Sequence, residues 1–198
     1  MNEVIKFIME RRSIRRYQEK QVPDKVLEQI LYASEFSPNA GNRQTTQIVV
    51  CRDRKLNERL GRINKAGFNG HISSPDNMIS KDQPSIADDP SITSAFYGAP
   101  TVITLFGPAN FLYTEADCYI MANNICLAAY SLGVGSCIMG RAEETFESEL
   151  GSAMQKEWGI AENYEAKVHI TLGYPKDGFP QSKSRKYPNP IVIREEKE

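Results

Sequence analysis

The segment RRSIRRY, Arg11–Tyr17, places four arginines and one serine within six consecutive positions. Guanidinium forks grip phosphate oxygens in pairs, and a serine hydroxyl adds a neutral donor. Arg11, Arg12, Ser13 and Arg15 are therefore a candidate anion grip. The same arginines follow a short amphipathic helix, where cations meet the dipole and hydrogen-bond the last carbonyls. From the cluster alone both readings stand. Other reactive side chains are few. There are two histidines, His71 and His169, and four cysteines, Cys51, Cys118, Cys126 and Cys137. No Cys-x-x-Cys pair and no histidine at ligand spacing marks a zinc site, and a chain this long does not call for a disulfide framework. His-Glu-x-x-His, the Walker A loop and Gly-x-Ser-x-Gly are all missing. GVGSCIMG, Gly133–Gly140, fails as a dinucleotide fingerprint, because Ile138 stands where the third glycine belongs and the segment follows a helix. His169 falls in an alternating strand and reads as a half-exposed strand residue. With so few acid–base groups in motif contexts, the chain either binds passively or takes its chemistry from a cofactor.

These residues must be positioned by elements whose pattern is legible. Residues 2–11 predict a helix with Val4, Phe7 and Ile8 on one face and Asn2 as its cap. Pro23 opens a second helix on Val26, Leu27, Ile30 and Leu31, which stops at the turn chemistry of Ser37–Asn42. Gln47–Cys51 is a short strand, and Asp53 caps a third helix carrying Leu56, Leu60 and Ile63. Residues 67–94 lose all periodicity; a loop this long is either a lid over a site or a loose insertion. Pro100–Phe106 reads as a central strand. Tyr113–Leu132 is apolar nearly all round and reads as a buried central helix ended by Gly133 and Gly135. Ser136–Met139 is a strand, Glu143 to about Gln155 a helix, and Ala166–Leu172 a strand with Val168, Ile170 and Leu172 on one face. Residues 174–198 form an extended tail. This order predicts one α+β domain over residues 1–198.

Charge is balanced, with 24 Lys+Arg against 25 Asp+Glu. That excludes a general nucleic-acid coat, which needs a basic field over a whole face. No run approaches a membrane span, the N-terminus lacks a signal-peptide pattern, and cysteine usage fits reduced thiols in a cytoplasmic setting.

Four blocks, in order, resemble the FMN-dependent nitroreductase family. RRSIRRY is similar to its opening signature. SPNAGNRQ, Ser37–Gln44, is similar to its Pro-Ser-x-x-Asn-x-Gln segment. DCYIMANNICLAAYSLGVGSCIMG, Asp117–Gly140, resembles its central helix and the glycine–cysteine turn. LGYPKDGFPQSKSRKYP, Leu172–Pro188, resembles its closing segment. The resemblance implies a central, mainly antiparallel sheet surrounded by helices, in an interlocked homodimer with two FMN sites at the interface. It implies that Arg11 and Ser13 hold the FMN phosphate with Arg12 close by, that Lys183 and Arg185 close on the same phosphate, and that Arg15 sits at the pyrimidine edge. Pro38, Asn39, Ala40, Asn42 and Gln44 would come from the partner subunit to cover the ring. Cys137, Ile138, Met139 and Gly140 would pass its N5 side by backbone. Departures fall on the substrate pocket: Thr45 and Thr46 where the family often has Pro-Trp, and Ile138 where it often has Trp.

The function so implied is transfer of electrons from NAD(P)H through FMN to an electron-poor small molecule such as a nitroaromatic or quinone, by ping-pong kinetics. The alternatives are a flavin- or anion-binding module without turnover, and a specialised flavin reaction on a defined metabolite.

Overall fold

The computed structural model describes residues 1–68, 81–182, 184 and 190–193. Its elements follow the predicted order. Helix α1 spans Glu3–Glu10 and α2 spans Asp24–Glu35. A 3-10 turn, Ala40–Asn42, leads into strand β1, Gln47–Cys51, and helix α3, Arg54–Ala66. Then come β2, Thr101–Pro108, α4, Thr114–Ser131, and β3, Gly135–Met139. Helices α5, Ala142–Glu147, and α6, Glu149–Glu157, precede β4, Tyr164–Gly173. Both sequence-predicted caps form: Asn2 Oδ1 accepts from the Val4 N–H at 2.9 Å, and Asp53 Oδ1 accepts from Lys55 at 2.8 Å.

The strands form one antiparallel sheet in the order β1-β2-β4-β3. β2 and β4 are central; residues 101–107 and 168–173 are buried on both faces, whereas Glu165 near the start of β4 is exposed. Ile103, Leu105, Val168, Ile170 and Leu172 pack toward α2 and α4 with Leu27, Ile30, Ile125 and Ala129. The opposite face packs Val102, Cys137 and Met139 with Leu60 and Phe96, and Phe106 with Phe146. Trp158 joins this second layer, with its ring centroid 5.8 Å from that of Phe146.

Three expectations are corrected. His169 is fully buried, not half-exposed. Alternation in β4 reports only the face toward α4, whereas α5 covers the other. A buried imidazole needs partners, and it has them: Nδ1 lies 2.8 Å from Thr104 Oγ1 and Nε2 lies 3.3 Å from Thr145 Oγ1. Second, α4 is not buried all round. Asp117, Cys118, Ala122, Ile125, Cys126 and Ala129 face inward, while Ala116, Ile120 and Asn123 are exposed. Third, the helix expected over 143–155 is two. Ser148 is extended (φ −68°, ψ 157°), and its Oγ accepts from the Gly151 N–H at 3.0 Å, capping a new helix. Gly133 (φ 73°) ends α4, whereas Gly135 begins β3.

Candidate functional site

The arginine-rich segment divides its work between the two readings open in the sequence. Arg12 Nη1 donates to the Met9 carbonyl at 2.8 Å and the Arg11 carbonyl at 2.6 Å, so Arg12 closes the C-terminal end of α1. Ser13 instead bridges in parallel to Ser136 of β3, and the Ile14 N–H donates to the Ser136 carbonyl at 2.9 Å. Gly135 permits this approach; a Cβ there would lie 2.8 Å from Ile14 Cγ1. Ile14 is fully buried. Tyr17 pins the far end of the segment, donating to the Ile14 carbonyl at 2.6 Å and lying 2.8 Å from Thr171 Oγ1.

With Ile14 turned into the core, Arg15, Ser13 and Arg11 all act on the Cys137 thiol. Burial pushes that thiol's pKa up, and Arg15, Ser13 and Arg11 pull it back without reversing the direction. Cys137 is thus a neutral, buried thiol, unsuited to be a nucleophile. Arg15 is fixed twice more. Its backbone N–H donates to Gln83 Oε1 at 2.6 Å, and its Nη1 donates to the Gln83 carbonyl at 2.9 Å. The guanidinium lies 5.9 Å from the Tyr97 ring centroid. A cavity of about 600 Å³ opens beside these groups, bordered by Arg15, Lys81, Ser94 and Tyr97.

At the other end of β3, Ile138 pairs with Ile170 and packs against the core. Met139 is buried and pairs with His169, and the chain then leaves the sheet through Gly140 and Arg141. Arg141 holds a left-handed backbone (φ 58°, ψ 38°). Asn64 Nδ2 donates to the carbonyls of both Gly140 and Arg141, at 3.1 and 3.0 Å.

The block Pro38–Gln44 forms a separate feature. Gly41, Asn42 and Gln44 all have positive φ (64°, 52° and 53°), an uncommon state for the two non-glycines. The turn is knit by its own side chains: Asn39 Oδ1 accepts from the Gln44 N–H and Asn42 Oδ1 from Gln44 Nε2, each at 3.0 Å. It is tied to α4 through the Ala40 N–H, which donates to Asp117 Oδ1 at 2.9 Å. Pro38, Asn42 and Gln44 are exposed. A cavity of about 240 Å³ lies here, bordered by Pro38, Asn39, Gln44, Thr46 and Met121.

The two blocks are held at different heights on α4. The second hangs from Asp117, whereas Arg11 acts on Cys126 and Glu10 accepts from the Tyr130 hydroxyl at 3.2 Å. At 1.5 Å per residue, Asp117 to Cys126 is about 14 Å and Asp117 to Tyr130 about 20 Å. One chain therefore sets Arg11, Ser13 and Arg15 at Ser136 and Cys137 in the first half of β3, and ties Pro38–Gln44 to α4 at Asp117.

The two ends of the chain do meet. Tyr17 bridges to Pro175, the Gln18 N–H donates to the Tyr174 carbonyl, and the Lys176 N–H to the Arg16 carbonyl, both at 2.9 Å. Arg16 pairs with Asp177 at 3.1 Å. The segment leading to Lys183 and Arg185 thus runs along the arginine-rich strand; those two residues lie outside the described residues, as do 69–80 of the expected lid.

Gln83, Tyr97 and Asn64 were not singled out from the sequence. Gln83 sits in the aperiodic stretch and gives no signal there, yet it is buried. Asn64 does leave a trace: Asn57, Leu60, Gly61 and Asn64 share the buried stripe of α3, so two amides occupy positions where apolar residues are expected.

Comparison with known proteins matches the chain to the nitroreductase family over residues 8–174. A protein of Archaeoglobus fulgidus, provisionally named an NADH dehydrogenase/NAD(P)H nitroreductase, is 31% identical over 179 residues, 89% of this chain and 88% of that protein. Among solved structures, the nitroreductase with bound FMN from Bacteroides fragilis has a TM-score of 0.79 at 25% identity, covering 98% of this chain and 100% of the other. The FMN-bound nitroreductase from Desulfitobacterium hafniense has a TM-score of 0.78 at 26% identity, with the same coverage. The chain belongs to the nitroreductase family.

Proposed function

We propose that this protein is an FMN-dependent oxidoreductase using NAD(P)H, and that it works as a homodimer. One observation carries the reading: Ser13 is laid against Ser136, so that Arg11, Ser13 and Arg15 converge at β3, the element whose far end resembles the flavin-facing turn of the family. The donor set fits the cofactor. The Arg11 guanidinium and the Ser13 hydroxyl, joined by the cations of Lys183 and Arg185, suit a phosphate dianion, which wants several charge-assisted donors. The chemistry that FMN would supply here is two-electron transfer from a nicotinamide to an electron-poor acceptor such as a nitroaromatic or quinone. The chain's own residues do the rest. Arg11 and Ser13 hold the phosphate, with Arg12 beside them on the end of α1 and Lys183 and Arg185 arriving along the tail. Arg15, braced by Gln83, keeps a cation at the pyrimidine edge, where negative charge grows on reduction. Cys137, Ile138, Met139 and Gly140 supply backbone rather than reactive side chains. Neither the buried thiol of Cys137 nor the neutral, buried His169 is placed to move a proton, so solvent serves that role. One pocket serving donor and acceptor in turn gives ping-pong kinetics.

The homodimer reading rests on what one chain leaves undone. The turn Pro38–Gln44 is tied to α4 at Asp117, whereas Glu10, at the end of the helix that leads into the arginine segment, meets α4 at Tyr130, about 20 Å along the helix. Apolar surface is also left open: Val4, Ile5 and Ile8 of α1 are 62%, 51% and 53% exposed, and Ile120 of α4 is 40% exposed. A second copy would cover that surface and bring its Pro38–Gln44 turn to the flavin. Among the described residues no helix is long and apolar enough to cross a membrane.

The test is direct. The purified protein should be yellow, bleach with NADH or NADPH, and recolour with menadione. Arg11→Ala should weaken FMN binding by about 1.5–3 kcal/mol, the worth of a charged hydrogen bond. A colourless protein that refuses added FMN would overturn the proposal; a yellow one that no nicotinamide bleaches would leave only a flavin-binding module.

A further inference from the structure

The Gly140–Arg141 turn is held by a buried polar chain that reaches back to the centre of the sheet. Asn64 is 1% exposed. Its Nδ2 faces three acceptors: the Gly140 carbonyl, the Arg141 carbonyl and Thr145 Oγ1, the last at 3.0 Å. Arg141 answers with its own side chain, Nη2 donating to the Asn64 carbonyl at 2.9 Å and to Asn64 Oδ1 at 3.1 Å. The same guanidinium lies 4.7 Å from the Phe68 ring centroid. Thr145 Oγ1 donates to the Arg141 carbonyl at 3.3 Å and so is left to accept from Asn64 and from His169 Nε2. That assigns the Nε2–H tautomer to His169, with Nδ1 accepting from Thr104.

A left-handed conformation at a non-glycine residue is unfavourable by roughly 1–2 kcal/mol, so Arg141 holds it because surrounding contacts impose it. The direction imposed matters. A trans peptide is planar, with its N–H and C=O pointing opposite ways. Asn64 draws the Gly140 carbonyl inward, and the Arg141 N–H of that peptide is thereby aimed outward. Gly140 also leaves room for Tyr119; a Cβ there would come 3.3 Å from its hydroxyl.

We infer that Asn64, backed by Thr145 and His169, is a positioning residue that fixes which way the Gly140–Arg141 peptide presents its N–H to the flavin. The inference rests on the flavin reading above. It predicts that Asn64 controls the redox balance of the bound cofactor and not its retention, because the phosphate grip at Arg11 and Ser13 is built on a different part of the chain.

The experiment compares wild type, Asn64→Ala, Asn64→Asp, Thr145→Val and Thr145→Ser by FMN titration and by the midpoint potential of the bound flavin. Asn64→Asp keeps an acceptor for Arg141 but removes both donors to the turn. Expected are FMN dissociation constants within about threefold of wild type for every variant. Both Asn64 variants should change the ratio of affinities for reduced and oxidised FMN about tenfold, a shift of about 30 mV for a two-electron couple. Thr145→Val should shift in the same direction by less, and Thr145→Ser should restore the wild-type value. Should Asn64→Ala not fold, the other Asn64 variant and the Thr145 pair read the same quantity. Asn64 variants that bind FMN at the wild-type potential would overturn this inference alone. A wild-type protein that takes up no FMN would overturn the flavin reading and this inference with it.

Discussion

His169 shows how far a single side chain's role depends on what covers it. Burial drives its pKa down to about 3, so the folded protein holds it neutral. In the unfolded chain its pKa is about 6.5, and between the two values the unfolded state binds the extra proton. Stability from this group is therefore complete above about pH 6.5 and is lost as pH falls toward 3, at up to about 1.4 kcal/mol per pH unit. Urea unfolding at pH 7 and pH 5 should show about 2 kcal/mol lost from this source. His169→Gln, unable to titrate there, should flatten the slope by that amount. Equal slopes in the two proteins would mean that His169 is charged, or exposed, in the fold.

At the scale of elements, the junction of α5 and α6 brings two backbones into direct contact. A Cβ on Gly151 would lie 2.2 Å from the Thr145 carbonyl oxygen and 2.6 Å from Phe146 Cα, both backbone atoms. Helix propensity favours alanine over glycine by up to about 1 kcal/mol. Forcing two backbones apart is unfavourable by about 1–3 kcal/mol, and the clash wins. Gly151→Ala should lower stability by about 1–2 kcal/mol in denaturant titration; a stabilised variant would show that the helices part freely. Much of the element pattern was open to reading in the chain: the caps at Asn2 and Asp53, the strand at 101–106 and the close of α4 at Gly133 follow from local chemistry. The break at Ser148 was hidden because Phe146, Leu150 and Met154 keep helical spacing across it. The outer side of α4 was hidden because Ile120 and Leu127 are as apolar as its inner side.

For the whole molecule, the proposed assembly has a sharp readout. In the proposed dimer, Ile120→Asp, on the outer side of α4, should leave a monomer in sedimentation and release FMN in the same step. A wild-type protein that sediments as a monomer and keeps its flavin would sink the two-subunit site, since Pro38–Gln44 would then play no part in it.

Local pattern by itself settled the order of elements, the basic segment and the four blocks that resemble nitroreductases, because capping, periodicity and motif spacing act over a few residues and are written along the chain. It also named the arginines without saying which of them serve a ligand. The tertiary structure decided their surroundings: Arg12 caps α1, while Ile14 packs against Gly135 and Ser13 and Arg15 act on Cys137. It alone revealed Gln83 and Asn64 as braces, since their partners lie 68 and 76 or more residues away and only burial without water makes such amides choose them.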